Sequence, residues 1–192
     1  MVQQDNSTDS DEALVVRIMD GDRYAFNMLA VRHGIRYRML AYRVVNNMAL
    51  AEDIVQESFV KLWTHAHRFD AAKSKFTTWF HRLVLNRCLD AKRKRQFETL
   101  PEGYDIVDKS PSAEAQIEHA EDTRKLLAAI NTLPERQKIA ITLSYFDGLS
   151  NLEAAAVMDL NIKAYESLLV RTRAKLRQIL MTEKDELLAA LG

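Results

Sequence analysis

The stretch from Gly148 to Arg177 leaves this chain few ways to fold. Ser150 is followed three residues later by Glu153, a capping box in which each side chain satisfies an orphan backbone amide of the other and fixes a helix start. Leu152, Ala155 and Ala156 are then expected on the buried face of a short helix. Asp159-Leu160-Asn161 interrupts the pattern with residues that tolerate turns, and a longer helix is expected from about Ile162. At about 100° per residue, Tyr165, Leu168, Leu169, Thr172 and Leu176 gather on one side of it, while Lys163, Glu166, Ser167, Val170, Arg171 and Arg177 point the other way. Short helix, tight turn, and a helix with a mostly basic outer face is the layout of a helix-turn-helix that reads a DNA major groove. Spacing alone also suits an ordinary helix pair with a solvated charged face.

Five Gly and three Pro in 192 residues leave few breakers, so the chain is expected to be all-α. Asp11 to Met19 reads as a helix opened by acids, which suit a helix N-terminus, and closed near Gly21. Phe26 to Val45 carries Phe26, Leu29, Ala30, His33, Tyr37, Leu40, Ala41 and Val44 at helical intervals and ends at Asn46-Asn47. From Leu50 to His65, Ile54, Val55, Ser58, Phe59 and Leu62 form an inner arc, and Asp53, Gln56, Glu57 and Val60 an outer one. From Thr77 to Gln96, Phe80, Leu83, Val84, Cys88 and Ala91 face in, and Arg82, Asn86 and Arg93 face out. The period vanishes from Phe97 to about Ala113, where Pro101, Gly103 and Pro111 mark a flexible linker. It returns at Ile117, with Leu126, Leu127 and Ile130 on one face. Pro134 is expected in the first turn of the next helix, where its missing N–H costs nothing.

A formal net charge of zero hides segregation. Residues 1–22 hold six acids against Arg17, residues 68–95 nine bases against Asp70 and Asp90, residues 97–123 eight acids against Lys109, and residues 163–177 five bases against Glu166. Two basic segments separated by an acidic one fit two contacts with a polyanion and a connector that avoids it. No apolar run approaches the roughly 20 residues that span a bilayer, and the polar, acidic start is unlike a signal peptide, so no direct membrane insertion is expected. A single cysteine, Cys88, makes no internal disulfide, which suits a reducing, cytoplasmic location. It reads as a buried small hydrophobe. His65 and His67 lack a third ligand at metal spacing. No phosphate loop, nucleophile elbow or catalytic carboxylate pair is present; neither enzyme activity nor a cofactor is expected.

Three runs carry a resemblance: AEDIVQESFVKLW (51–63), FTTWFHRLVLNRCLDAKRKR (76–95), and LPERQKIAITLSYFDGLSNLEAA with LLVRTRAKLR downstream. In this order and separation the chain resembles an extracytoplasmic-function sigma factor, over roughly residues 12–96 and 114–181. The resemblance implies two small helical domains joined by a flexible linker: 1–96, sigma-2-like, binding core RNA polymerase and the minus-ten element; 97–113, the acidic linker; and 114–192, sigma-4-like, binding the minus-thirty-five element through the helix-turn-helix. It implies core polymerase, promoter DNA and an anti-sigma factor as partners. Asp53, Gln56, Glu57 and Val60 would meet the polymerase clamp helices. Lys73, Lys75, Trp79, Arg82, Asn86, Arg87 and Arg93 would meet the minus-ten element, with Trp79 and Phe76 wedging or stacking where strands separate. Lys163, Glu166, Ser167, Arg171, Arg173 and Arg177 would meet the minus-thirty-five element.

Departures from the family pattern fall in the helix-turn-helix. Asp159 stands where Gly is common, Glu166 where a basic residue or Thr is common, and Tyr165 where an aliphatic is usual. A carboxylate at 166 repels phosphate but accepts from cytosine N4. A sigma-like decoy that binds only an anti-sigma factor, and a dimeric repressor, are the competing readings; the basic face at 163–177 argues against the first.

Overall fold

Short polar side chains decide where the helices of the first half begin. In α1 (Asp11–Met19) the Ser10 hydroxyl accepts from the Ala13 amide. The Asp22 carboxylate accepts from the Tyr24 and Ala25 amides at 2.8 and 3.1 Å. Helix α2 (Arg23–Val45) therefore starts three residues before Phe26, where the sequence pattern alone would begin it, and it stops at Asn46 in the left-handed region, φ 53°. Asn47 accepts from Leu50 to open α3 (Met48–His65). The start of α4 (Phe76–Glu98) is capped from a distance: Glu12 of α1 accepts the Phe76 amide at 2.9 Å.

The computed structural model describes residues 9–98 and 117–190, and among these every regular element is helical. The chain divides into two units, Met1–Val107 and Asp108–Gly192, each treated by itself below. Beyond Glu98, the acidic linker expected at 97–113 lies outside the described residues.

In the first unit α2, α3 and α4 close around Leu29, Tyr37, Leu40, Phe59, Leu62, Phe76, Phe80 and Val84, all buried. Phe80 is its centre, with Tyr37, Phe59 and Phe76 ring centroids 4.7, 4.9 and 5.3 Å away. Leu83 and Ala91, expected inside, are only half-buried, while His81 and Cys88 are fully buried.

Helix α1 is held to this core by polar hooks as well as by Leu14, Val15 and Ile18. Asp11 bonds His33 Nε2 at 2.7 Å and Arg32 at 2.6 Å. The His33 ring lies against Tyr37 and Phe76. Burial works to raise the Asp11 carboxyl, but the bonds from His33 and Arg32, with their charges, hold it below its ordinary value.

The second unit comprises α5 (Ile117–Asn131), α6 (Glu135–Ile141), a π-helical turn over Thr142–Phe146, α7 (Asn151–Val157) and α8 (Ile162–Ala190). Its core holds Ile139, Ala140, Leu143, Ala155, Val157, Tyr165, Leu169 and Leu176. Two expectations are corrected. Pro134 is the N-cap residue, with extended ψ of 143°, and not part of the first turn. Leu126 and Leu127 are exposed; Ala129, Ile130 and Leu133 are the buried residues of that stretch.

Asp11→Ala strands the buried His33 and should destabilise the first unit by about 1–3 kcal/mol. A carboxyl held below its unfolded value contributes fully above the unfolded range, near pH 4, and loses that contribution as pH falls through the folded value. The gap in urea midpoint between wild type and variant should therefore narrow between about pH 5 and pH 2. A pH-independent gap would show that the carboxylate's charge is not what is lost.

Candidate protein and nucleic-acid interfaces

Phase on α3 follows from its cap and its inner arc. Ile54, Val55, Ser58, Phe59 and Leu62 are all buried, and the Ser58 hydroxyl donates to the Ile54 carbonyl at 2.7 Å, so its burial leaves no donor unmet. The opposite arc then has to carry Asp53, Gln56, Glu57 and Val60, and all four are exposed. Val60 is 61% exposed, an apolar side chain amid carboxylates. Together with Lys61, Thr64 and Arg87 of α4 these residues line a shallow concavity. Within it Glu57 and Arg87 form an ion pair, joining a residue expected to meet protein with one expected to meet DNA.

The segment entering α4 is a tight turn around Asp70. Its carboxylate accepts the Ala72 amide at 3.0 Å and pairs with Lys73 at 2.9 Å, and its carbonyl accepts from Lys73 and Ser74. Lys75 is exposed. Phe76 is fully buried and its amide is committed to Glu12, so it does not stack on nucleic acid; the core, not the surface, claims it. Trp79 is half-buried, resting on Phe69, Phe76 and Phe80 with centroids 5.7, 6.3 and 6.2 Å away, which leaves part of its indole at the surface.

Helical geometry places Trp79, Arg82, Asn86 and Arg93 within about 60° of one another, and the last three are exposed. Arg93 also pairs with Asp90 one turn back. Arg87 is off this stripe, turned toward α3. The structure thus gathers four of the seven expected minus-ten residues into one line and separates Arg87 from it.

In the second unit the capping box forms as expected. Ser150 Oγ accepts from the Glu153 amide at 3.3 Å, and Glu153 Oε2 accepts from the Ser150 amide at 3.1 Å. The phase of α7 differs from expectation. Ala154, Ala155 and Val157 are buried, whereas Leu152 is 68% exposed and Ala156 is exposed. Three consecutive alanines offer two competing stripes, and neighbouring packing chose the one without Leu152. Asp159 turns the chain at φ 56°, and Asn161 accepts from the Ala164 amide at 2.9 Å to start α8.

On α8, Tyr165, Leu169, Thr172 and Leu176 are buried and Leu168 half-buried. Lys163, Glu166, Ser167, Val170, Arg171 and Arg177 are exposed on the other side. Arg171 Nε donates to the Ser167 carbonyl at 3.3 Å, which draws its stem along the helix. Arg173 is exposed as well, but its guanidinium lies 5.4 Å from the Tyr145 ring centroid. Tyr145 was not singled out by the sequence; it lies within the π-helical turn, which breaks the helical repeat.

His65 and His67 stack with ring centroids 6.0 Å apart. Partial desolvation, then the charges of Lys61, Arg68 and His67, holds His65 below its usual value. Among the described residues no group of His, Cys, Asp or Glu is arranged to hold a metal, and no helix is long and apolar enough to cross a membrane.

Comparison with known proteins matches both units. Residues 29–98 match the family described as Sigma-70 region 2, and residues 123–176 that described as Sigma-70, region 4. The chain is 33% identical over 180 residues to RNA polymerase sigma factor NccH of Alcaligenes xylosoxydans xylosoxydans, spanning 91% of this chain and 96% of that one. It is 32% identical over 188 residues to ECF RNA polymerase sigma factor SigE of Mycolicibacterium smegmatis, spanning 92% and 72%. The structure of CnrH in complex with the cytosolic domain of CnrY superposes with a TM-score of 0.70 at 26% identity, over 91% of this chain and 99% of that chain.

Proposed function

This chain belongs to the extracytoplasmic-function sigma factors, and from that premise we propose which of its surfaces performs each part of a sigma factor's work. As an alternative sigma factor it binds core RNA polymerase and directs promoter recognition and transcription initiation; it is not an enzyme. We place its action in the cytoplasm, with the polymerase, and an anti-sigma factor among its partners, as CnrH is seen in complex with the cytosolic domain of CnrY and sigma factor RpoE of Bartonella quintana with the anti-sigma factor NepR.

The observation that carries the assignment is the division of the first unit into two exposed faces on adjoining helices. On α3, Asp53, Gln56, Glu57 and Val60 dock core polymerase, carboxylates meeting cationic helices of the partner with an apolar contact at Val60. On α4, the stripe of Trp79, Arg82, Asn86 and Arg93, with Lys73 and Lys75 before it, follows the minus-ten element. The cations hold phosphates, and Trp79 offers its exposed edge to an unstacked base. Arg87, tied to Glu57, joins the two faces. Residues 1–96 form the domain for both tasks, 97–113 the linker, and 114–192 the domain for the minus-thirty-five element. There Lys163, Ser167, Arg171, Arg173 and Arg177 meet phosphates or base edges, and Glu166 accepts from cytosine N4.

Asp53→Ala with Gln56→Ala leaves the Glu57–Arg87 pair untouched and removes only outward side chains. Affinity for core polymerase, read by anisotropy of labelled protein, should fall about tenfold or more, with circular dichroism and melting unchanged. Unaltered affinity would refute the α3 assignment.

Asn86 carries a donor pair and an acceptor between two cations, enough to read one base edge. Asn86→Ala should leave core binding intact and reduce permanganate reactivity of promoter thymines in the reconstituted holoenzyme. A pre-melted promoter should restore only part of the activity, since opening is bypassed but base reading is still missing. Wild-type opening and base preference would show Asn86 to be a surface amide alone.

A further inference from the structure

Helix α6 ends on a turn that is one residue wider than α-helical: the Asp147 amide donates to the Thr142 carbonyl, five residues back, at 3.0 Å. Such turns are rare and occur mostly as single insertions. Here the widening has two results. Ser144 faces inward to the recognition helix α8, and Tyr145 is thrown outward, 58% exposed.

The inward side is a lock. Tyr165 of α8 is fully buried, and its hydroxyl donates to the Ala140 carbonyl at 2.9 Å. With its one proton committed there, it accepts from the Ser144 hydroxyl 2.6 Å away. The phenol unusual for this position thus pins α8 to α6 at Ala140 and to the middle of the turn at Ser144.

The outward side is a platform. Arg173 lies two turns beyond Tyr165, and at 100° per residue it falls about 80° from the Tyr165 direction. That is one edge of the exposed arc of α8, on the side of Glu166 and Arg177 and away from Lys163, Ser167 and Val170. No carboxylate among the described residues pairs with Arg173; its guanidinium sits over the Tyr145 ring instead. Its charge also reaches the Tyr165 hydroxyl, opposing the rise in that group's pKa that burial imposes. A guanidinium seated on an aromatic face keeps its N–H edge free for an anion.

We propose that Tyr145 is a positioning residue for promoter binding, holding Arg173 on the flank of α8 as a fixed contact to the DNA backbone that sets the helix in the groove, and not as a reader of bases. The inference rests on α8 being the helix that reads the minus-thirty-five element.

The test uses holoenzyme reconstituted with wild-type, Tyr145→Ala, Tyr145→Phe, Arg173→Gln and Tyr145→Ala/Arg173→Gln proteins. The DNA is a duplex selected by the wild-type holoenzyme from a library randomised at the minus-thirty-five element. Tyr145→Ala should weaken binding about two- to fivefold, and Tyr145→Phe should bind as wild type. Arg173→Gln should lower the slope of log affinity against log salt by about one. The double variant should bind as Arg173→Gln alone, and all variants should select the same bases. Wild-type binding by Tyr145→Ala, additive losses in the double variant, a Phe variant as weak as the Ala variant, or relaxed selection at one base would each overturn the proposal. A wild-type holoenzyme that selects no sequence in the randomised region would instead sink the assignment of α8.

Discussion

An α-helix leaves about four backbone amides unpartnered at its start and four carbonyls at its end, and a chain made of helices meets that demand at every junction. Here part of the demand is met by side chains with only one to three heavy atoms beyond Cβ. Ser10, Asp22, Asn47, Ser150 and Asn161 each accept from the first turn that follows them. Asn46 and Asp159 absorb the left-handed residue that lets the chain turn away. Helix α4 has its opening amide met by Glu12, so α1 is a component of the α4 terminus and not a mere appendage. These bonds set where helices start and stop, and the packing of apolar residues then decides which face of each reaches solvent.

That dependence explains what could be read in advance. On α3 the apolar residues are large and the intervals clean, and both arcs stand as the intervals imply. On α7 the same reasoning failed, because Ala154, Ala155 and Ala156 carry no difference in size from which to read phase, and Leu152 drew the stripe the wrong way. The start of α2 was placed late because its stripe begins at Phe26 while its cap is Asp22. Phe76 looked available because it neighbours Trp79; Glu12, sixty-four residues away, takes its amide, and aromatic neighbours take its ring. The Tyr145 platform had no period to announce it, since a π-helical turn breaks the 3.6-residue repeat on which such reading relies.

The two faces of the first unit are not independent surfaces. Glu57 and Arg87 belong by position to opposite tasks, and in this structure each neutralises the other. Exposed pairs of this kind contribute little to stability. Their weight lies in the local field: the pair lowers the charge that either face presents at the seam between α3 and α4, while Arg82 and Asn86 remain on the line with Trp79. Segregation along the sequence becomes, in three dimensions, segregation by helix face.

Both tryptophans of the chain, Trp63 and Trp79, lie in the first unit. Trp63 rests edge-on against Phe26, and Trp79 rests on the Phe69–Phe76–Phe80 cluster. Excitation at the red edge of protein absorbance therefore illuminates half the molecule. An emission trace follows the loss of the first helical cluster and is blind to the helix-turn-helix, whereas far-ultraviolet dichroism sums over both. A single midpoint taken from either signal does not describe this protein; the separation between the two curves measures how far its halves unfold as strangers.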